Sequence, residues 1–380
     1  MNPLFQRLMT EATQLSQSGQ LMAATQAIQR ALRGETDGPA PESDNGLRPM
    51  ARDNRSIVLD GLVRVVADSE ARRHPAEADV AEHAAPVARS GPDSAQERWS
   101  DGSFSHGGRT LAYKLYTPAF AAGAAPRPLV LMLHGCTQDP ADFASGTRMN
   151  ALAREHGFVV LYPEQTQRGN ANRCWNWFKT QHQQRGRGEP ALLAALTQSV
   201  MAEQHIDPAR VYVAGLSAGG AMADILGRCY PELFAAVGVH SGLPAGAAQD
   251  LPSAMAAMQG GPTPGAASHG GTTPPVIVFH GDADATVHPR NGTAVVSAAQ
   301  TMQGGAAPRV SEGRSTQGQG FTRSEYLAAD GSVAIEHWRL HGAGHAWSGG
   351  SAQGSYTDPR GADASAEMLR FFLAHPKARH

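Results

Sequence analysis

The chain has 380 residues, of which 41% are hydrophobic, and a formal net charge of −2 at pH 7. This length accommodates one large domain with additional segments, or two domains, and the apolar content is sufficient for a sizeable core. The near-neutral charge gives no electrostatic argument for binding nucleic acid or an anionic membrane, and no apolar run approaches the roughly 20 residues of a membrane-spanning helix.

The cysteines and the start of the chain bear on location. Cys136, Cys174 and Cys229 are too few for a disulfide framework and too scattered for a zinc site. A single disulfide between two of these three cysteines is the alternative to three free thiols. Residues 1–7 lack the basic start and the long apolar stretch of a secretory signal. These features favour a cytoplasmic location.

The first hundred residues divide into two segments. Residues 1–34 carry apolar side chains at helical spacing with a break near Gly19, and they predict a helical hairpin. The hairpin either packs on the main domain or docks on a partner or a polymer granule surface. Residues 35–100 are rich in Pro, Gly, Ala and charge, with one apolar island at 57–66, and they predict a low-complexity, disordered linker.

Residues 101–380 are predicted to form a catalytic domain in which strands alternate with helices. Residues 110–116 alternate like a half-exposed antiparallel strand. Short, almost fully apolar runs follow at 128–133, 158–162, 211–213, 235–239 and 276–279, and a further strand is predicted at 333–340. Helices are predicted near 141–156, 189–205, 219–230, 291–303 and 362–374. The apolar runs indicate a mostly parallel central sheet with helices on both faces, which binds ligands at the carboxyl ends of its strands.

The stretch 215–219, Gly-Leu-Ser-Ala-Gly, has the G-x-S-x-G pattern of a nucleophile elbow. A predicted strand precedes it and a predicted helix follows it, which is the context that the motif requires. The flanking glycines allow two backbones to approach closely, so that the turn pushes the Ser217 hydroxyl out above the sheet. Ser217 is therefore the candidate nucleophile, and the alternative is an ordinary turn serine.

Two further candidates follow at strand ends, Asp284 after 276–279 and His345 after 333–340. The order Ser, Asp, His is that of α/β-hydrolases, in which an imidazole takes the serine proton and a carboxylate orients the imidazole. Asp282 competes for the acid role, but the spacing His-Gly-x-x-Asp-x-x-Val puts Asp284 in the loop position usual for this fold. Three other histidines are interpreted as surface or structural residues: His269, His288 and His341.

An oxyanion hole needs two backbone N–H groups directed at the developing charge. One is expected from Ala218, the residue after the nucleophile, and the other from Cys136 in the loop after the strand at 128–133. A thiol nucleophile at Cys136 is disfavoured, because no histidine pairs with it more plausibly than with Ser217.

Three tryptophans are candidate substrate-binding residues. Trp175 and Trp177 lie in a polar, Gly-rich stretch, and Trp347 comes two residues after His345. Flat aromatic surface at a cleft suits a polyester chain or a phenolic acid; the alternative is packing in the core. The loop 244–275 is a candidate cover for the site.

Six short motifs carry a family resemblance. They are HGCTQ at 134–138, CWNWF at 174–178, RGRGEP at 185–190, GLSAGG at 215–220, VHSGLP at 239–244 and GHAW at 344–347. Together they resemble the polyhydroxybutyrate depolymerase-type esterases, which are relatives of feruloyl and acetylxylan esterases.

The resemblance covers about residues 105–375. It implies an α/β-hydrolase fold and serine ester hydrolysis with no metal and no cofactor. By position it assigns Ser217, Asp284 and His345 to the triad and Cys136 to the oxyanion loop. Because many members of that family are secreted, an extracellular location is the alternative to the cytoplasmic one.

The predicted function is hydrolysis of short hydroxyalkanoate (3-hydroxybutyrate-type) esters or oligomers by a serine carboxylic-ester hydrolase. A feruloyl or acetylxylan-type esterase is the alternative within the same class, and the acyl pocket distinguishes the two. A hypothesis of another class is a protein that binds a polymer granule or a partner through the hairpin at 1–34, with an idle hydrolase site.

Overall fold

The computed structural model describes residues 96–121, 123–262, 273–301 and 307–378. The predicted hairpin at 1–34, the apolar island at 57–66 and most of the predicted linker lie outside the described residues. The first strand of the described residues begins at Arg98, three residues before the predicted start of the catalytic domain at residue 101.

Among the described residues, ten strands form the main sheet and two more form a small separate sheet. In chain order they are β1 (Arg98–His106), β2 (Arg109–Thr117), β3 (Arg127–Leu133), β4 (Val159–Pro163), β5 (Ile206–Leu216), β6 (Ala236–His240), β7 (Val276–Gly281), β8 (Arg309–Arg314), β9 (Gly320–Leu327), β10 (Val333–Leu340), β11 (Trp347–Ser348) and β12 (Thr357–Asp358). The order across the main sheet is β1-β2-β4-β3-β5-β6-β7-β10-β9-β8, and β11 pairs with β12.

The centre of the main sheet is parallel and its two edges are antiparallel. Strands β4, β3, β5, β6, β7 and β10 pair in parallel, whereas β1, β2, β8 and β9 join through antiparallel ladders. Every residue of β3, β4, β6 and β7 is buried. A strand buried on both faces favours apolar side chains on both faces, which explains the nearly continuous apolar runs in the sequence.

Seven α-helices cover the sheet in the described part of the chain. They are α1 (Pro140–Thr147), α2 (Met149–His156), α3 (Gly188–Glu203), α4 (Ala218–Cys229), α5 (Leu251–Gly260), α6 (Arg290–Gln300) and α7 (Ala364–Ala374). Among the described residues, none of these helices is long and apolar enough to cross a lipid bilayer.

Two hydrophobic cores lie on the two faces of the sheet, because alternate side chains of a strand point in opposite directions. Leu129, Leu131 and Leu133 of β3 belong to one core together with residues of α3, α4 and α6. Val130 and Met132 belong to the other, with residues of α1, α2 and α7. The expected parallel sheet with helices on both faces, an α/β-hydrolase architecture, is confirmed.

The predicted helix at 141–156 is interrupted, and this part of the prediction is wrong. Arg148 adopts a left-handed backbone conformation with φ 56°, which ends α1 and starts α2 in a new direction. Its guanidinium donates to the carbonyl oxygen of Gly349 at 2.9 Å and to the carboxylate of Asp363 at 2.8 Å. These contacts are long-range, so helical periodicity alone could not reveal the break.

The predicted loop at 244–275 contains helix α5. Asp250 and Ser253 form a capping box at its first turn, with the Ser253 N–H donating to the Asp250 carboxylate at 2.9 Å. The short helix carries only two buried side chains, Ala254 and Ala257, so its apolar stripe is weak in the sequence. Residues 263–272 of this loop lie outside the described residues.

Candidate active site

Ser217 lies on a strained turn between β5 and α4. Its backbone has φ 57° and ψ −120°, which is an uncommon conformation for a residue other than glycine. The Ser217 N–H donates to the carbonyl oxygen of His240, the last residue of β6, at 2.9 Å. A sharp strand-to-helix turn of this kind places a serine hydroxyl at the carboxyl edge of the sheet.

The two glycines of the motif are required by the close approach of this turn to β3. A Cβ atom added to Gly219 would overlap the carbonyl oxygen of Leu133 and lie 2.6 Å from that of His134. A Cβ atom added to Gly215 would lie 2.7 Å from the same Leu133 oxygen. Only glycine fits at either position, and the contact brings the turn of Ser217 against the loop that follows β3.

Asp284 and His345 are joined at the ends of β7 and β10. The Nδ1 atom of His345 lies 2.7 Å from Oδ2 of Asp284. The other carboxylate oxygen, Oδ1, accepts from the N–H groups of Thr286 and Val287 at 2.9 and 2.8 Å. The fixed carboxylate accepts a hydrogen bond from the Nδ1–H group of the imidazole, which leaves the Nε2 lone pair of His345 available.

Asp284 remains ionised despite its burial. Burial alone would raise the pKa of this carboxyl, but hydrogen bonds from His280 and His345 and from the Val287 N–H outweigh it, so its pKa lies well below its usual range. His280 was not predicted from the sequence; its Nε2 donates to the Val287 carbonyl oxygen at 2.8 Å and lies 3.5 Å from Oδ2 of Asp284. It holds the loop that presents the carboxylate.

The competing carboxylate, Asp282, lies in a different environment. It pairs with His341 at 3.0 Å and accepts from the Gly342 N–H at 2.7 Å. The side chains of Asp282 and His341 are 38% and 41% exposed, whereas that of Asp284 is fully buried. His341 also contacts Thr322, with 2.9 Å between its Nε2 and the hydroxyl oxygen. The structure thus joins Asp284, not Asp282, to His345.

The segment that carries His345 crosses from β10 toward Ser217. At its start, the Ala343 carbonyl accepts from a backbone N–H in the loop after β7, at 3.1 Å. At its end, the Ser348 N–H donates to Nε2 of His240 at 3.0 Å. Because the carbonyl of His240 also accepts from the Ser217 N–H, one residue anchors both the serine turn and the histidine segment.

His240 is a positioning residue that sequence reasoning did not single out, although it lies in the VHSGLP motif. It is completely buried, and burial lowers its pKa to about 3. A neutral ring fits its contacts: Nε2 accepts from Ser348, and Nδ1 lies 3.2 Å from the Ser241 hydroxyl. Its ring stacks on Trp347 with 5.1 Å between the centroids.

The loop after β3 contains Cys136, the predicted second oxyanion donor. The N–H of Gly135 donates to the Gln138 side chain at 2.9 Å, and the N–H of Thr137 donates to the Asn172 carbonyl at 2.7 Å. Among the described residues, the N–H of Cys136 has no hydrogen-bond acceptor. Ala218 is the first residue of α4, where backbone N–H groups lack intrahelical acceptors.

A disulfide joins Cys136 to Cys174, with an S–S distance of 2.06 Å. The sequence allowed one disulfide but did not identify its two cysteines, which are 38 residues apart along the chain. The fold brings them together because the loop after β3 and the loop after β4 meet at the same edge of the sheet. Cys229 is the one free cysteine of the chain.

The structure buries all three tryptophans that were predicted to line the substrate cleft. Trp175 has no exposed surface, and its indole N–H donates to the His134 carbonyl at 3.1 Å. Trp347 is 1% exposed, and its indole N–H donates to the Ser365 hydroxyl at 3.0 Å. Trp177 retains 5% exposure. These rings are side chains of the two hydrophobic cores.

A buried carboxylate, Glu189, organises the loop that carries Cys174. It accepts from the Gln165 side chain at 2.7 Å and from the backbone N–H of Asn176 at 2.7 Å. Burial opposes its ionisation, but hydrogen bonds from His182 and Asn176 keep its pKa below the usual value. These contacts tie the loop after β4 to the start of α3.

Among the described residues, no cluster of His, Cys, Asp and Glu is arranged to hold a metal ion.

Loss of the disulfide is expected to lower both stability and activity. The chain-entropy model gives about 4 kcal/mol for a loop of this length. Displacement of the predicted oxyanion donor, the Cys136 N–H, is expected to cost roughly 10²–10³ in rate. The double variant Cys136→Ser/Cys174→Ser should therefore unfold at lower urea concentration and show reduced kcat. Cys229→Ser is the matched control, and it should leave both quantities within a small margin. Unchanged kcat in the double variant would show that the bridge does not position the Cys136 N–H.

Comparison with known proteins assigns the chain to a family. The family model described as Esterase PHB depolymerase matches residues 111–308, which is more than half of the chain. The chain therefore belongs to the esterase PHB depolymerase family.

Several curated proteins are similar to the chain. Poly(3-hydroxyalkanoate) depolymerase C of Paucimonas lemoignei is 36% identical over 231 residues, which cover 57% of this chain and 54% of that protein. Poly(3-hydroxybutyrate) depolymerase of Ralstonia pickettii is 32% identical over 288 residues, covering 71% and 58%. Feruloyl esterase B of Neurospora crassa is 31% identical over 131 residues, covering 34% and 44%. The chain spans little more than half the length of the two depolymerases.

The fold is shared with a solved esterase structure. Acetyl xylan esterase from Aspergillus awamori matches with a TM-score of 0.56 at 19% identity, covering 72% of this chain and 99% of that one. This likeness supports the α/β-hydrolase fold of the described part.

Proposed function

We propose that the chain is a serine carboxylic-ester hydrolase in which Ser217, His345 and Asp284 act as nucleophile, general base and orienting carboxylate. The observation that carries the proposal is the 2.7 Å contact between Asp284 and His345. His345 belongs to the segment that His240 anchors through the Ser348 N–H, and His240 also accepts from the Ser217 N–H. Family membership supports the same assignment.

Acylation begins with attack of the Ser217 hydroxyl oxygen on the ester carbonyl carbon. Nε2 of His345 takes the hydroxyl proton, and the ionised Asp284 stabilises the imidazolium that forms. The tetrahedral intermediate then collapses: the carbon–oxygen bond to the alcohol breaks, and His345 returns the proton to the leaving alkoxide. The products are a free alcohol and an acyl ester on Ser217.

The backbone N–H groups of Cys136 and Ala218 receive the negative charge of the tetrahedral intermediate. Both belong to elements held rigidly, one by a disulfide and the other by the start of a helix. Donors that are already oriented stabilise the intermediate without reorganisation during the reaction. Deacylation repeats the sequence with water in place of the serine hydroxyl, and His345 again moves the proton.

The proposed substrates are short hydroxyalkanoate esters or oligomers of the 3-hydroxybutyrate type. Similarity to two proteins named as poly(3-hydroxyalkanoate) and poly(3-hydroxybutyrate) depolymerases supports this substrate class. A feruloyl or acetylxylan-type esterase is the second candidate, because proteins of both names are also similar to the chain.

Hydrolysis of a matched set of esters tests this proposal. p-Nitrophenyl esters of increasing acyl length establish whether the protein is an esterase and how large its acyl pocket is. The kcat/KM values for 3-hydroxybutyrate oligomers, for methyl ferulate and for acetylated xylan are then measured separately. We expect the highest value for the 3-hydroxybutyrate oligomers. A higher kcat/KM for methyl ferulate or acetylated xylan would replace the first substrate class by the second, and no hydrolysis of any ester would overturn the function.

The disulfide between Cys136 and Cys174 supports the extracellular alternative over the cytoplasmic prediction. Disulfides persist in oxidising compartments and are rare where thiols are kept reduced. We propose that the protein works outside the reducing cytosol. Alkylation of thiols during lysis of the native host, followed by mass spectrometry of both cysteine peptides, should recover them bridged; recovery as alkylated thiols would contradict this.

A further inference from the structure

Tyr356 is a large exposed side chain on the loops of the candidate active site. Five large apolar or aromatic side chains of the described residues are exposed: Trp99, Leu251, Val310, Tyr356 and Leu373. Tyr356 is 48% exposed, and among the described residues its ring pairs with no other aromatic ring. Most of the aromatic rings near the site are buried, so this ring offers a free apolar face.

Two contacts place Tyr356 between the oxyanion loop and the histidine segment. Its hydroxyl lies 3.2 Å from the hydroxyl oxygen of Thr137, which itself donates to the Cys136 carbonyl at 2.6 Å. The phenol is therefore the donor in its contact with Thr137. Its backbone carbonyl accepts from the N–H of Trp347 at 2.7 Å, two residues after His345.

The backbone around Tyr356 is held in an unfavourable conformation. Tyr356 has φ 51° and Thr137 has φ 66°, and both values lie in the left-handed region that favours glycine. The preceding residue, Ser355, donates its N–H to the Asp142 carboxylate at 2.8 Å, and its carbonyl accepts from Gln138 at 3.1 Å. Strained residues that the surroundings fix in this way concentrate at functional sites.

We infer that Tyr356 is a substrate-binding residue, whose ring packs against the chain of the ester next to the scissile carbonyl. This inference rests on the proposed function. The ring takes the place that the three tryptophans were predicted to fill, and its contact with Thr137 fixes its orientation. The ring binds the ground state and the transition state equally well. Its removal should therefore raise KM and leave kcat nearly unchanged.

The first test compares KM and kcat of three variants on p-nitrophenyl butyrate and on a 3-hydroxybutyrate trimer. Tyr356→Ala should raise KM about tenfold with kcat nearly unchanged, and Tyr356→Phe, which keeps the ring, should raise it less than about threefold. Val310→Ala, an exposed position on β8 that is 59% exposed, is the control. Thermal unfolding of each variant shows whether the fold is intact.

A fall in kcat without a rise in KM in Tyr356→Ala would overturn the inference, because it would indicate that Tyr356 only positions the oxyanion loop. Unchanged KM and kcat would also overturn it. Absence of hydrolysis by the wild-type protein would overturn the proposed function and this inference together, whereas hydrolysis with unchanged KM in Tyr356→Ala overturns only the inference.

A second test needs no substitution at Tyr356 and decides the matter if Tyr356→Ala unfolds. Tetranitromethane nitrates exposed tyrosines, and peptide mass spectrometry reports the extent at each one. In the Ser217→Ala protein, saturating 3-hydroxybutyrate trimer should reduce nitration of Tyr356 several-fold and leave that of the partly buried Tyr113 and Tyr326 unchanged. Equal nitration of Tyr356 with and without the trimer would overturn the inference.

Discussion

Replacement of Ser217 by alanine is expected to reduce kcat on p-nitrophenyl esters by on the order of 10⁶-fold, the scale at which loss of a serine nucleophile acts. The substitution removes the attacking oxygen and leaves the rest of the turn in place. The backbone N–H of residue 217 still donates to the His240 carbonyl, so the fold should be unaffected. Steady-state kinetics together with urea unfolding separate the two effects.

Ser241→Ala is the matched control for this variant. Ser241 is also buried, also has a positive φ of 49° and also follows a strand of the parallel sheet, the neighbouring β6. Its hydroxyl contacts His240 rather than the reacting atoms, so its loss should cost less than about tenfold, the scale of one neutral hydrogen bond. Substantial hydrolysis by Ser217→Ala would show that the nucleophile is another group.

Asp284→Asn is expected to lower kcat by roughly 10⁴-fold, because an amide cannot select the same tautomer of the imidazole. The carboxylate accepts on both oxygens, from His345 on one side and from the N–H groups of Thr286 and Val287 on the other. In the variant the amide nitrogen can face Nδ1 of His345, which then carries its proton on Nε2, where it cannot take the proton of Ser217.

Asp282→Asn provides the comparison within the same loop. This carboxylate contacts the half-exposed His341 and a backbone N–H, and its side chain is 38% exposed. The same chemical change should therefore reduce kcat by less than about tenfold, since an exposed pair of this kind contributes little. If Asp282→Asn were the more damaging of the two, the acid role would move to Asp282.

The sequence predicts an element or a site residue correctly where a single physical requirement restricts which residue types can occupy a position. A strand buried on both faces needs a continuous apolar run, so the parallel strands could be placed within a few residues. The turn of Ser217 tolerates only glycine at positions 215 and 219, because any Cβ atom there would meet the backbone of β3. The spacing after β7 selected Asp284, and the structure joins that residue to His345.

The sequence was uninformative where contacts depend on several distant loops. Trp175 lies in a polar stretch, yet it is buried, because the His134 carbonyl satisfies its indole N–H. The partner of Cys136 could not be chosen before two loops were placed side by side. Tyr356 has no motif around it, and its side chain is placed by a contact with Thr137, which is more than 200 positions away along the chain.

Covalent labelling tests the central claim most directly. A fluorophosphonate reacts with a serine that a neighbouring imidazole activates, and peptide mass spectrometry identifies the residue that carries the label. We expect one labelled peptide containing Ser217, parallel loss of esterase activity, and no label in Ser217→Ala. Full loss of activity with the label on another residue, or hydrolysis that persists in a protein fully labelled at Ser217, would contradict the proposed mechanism.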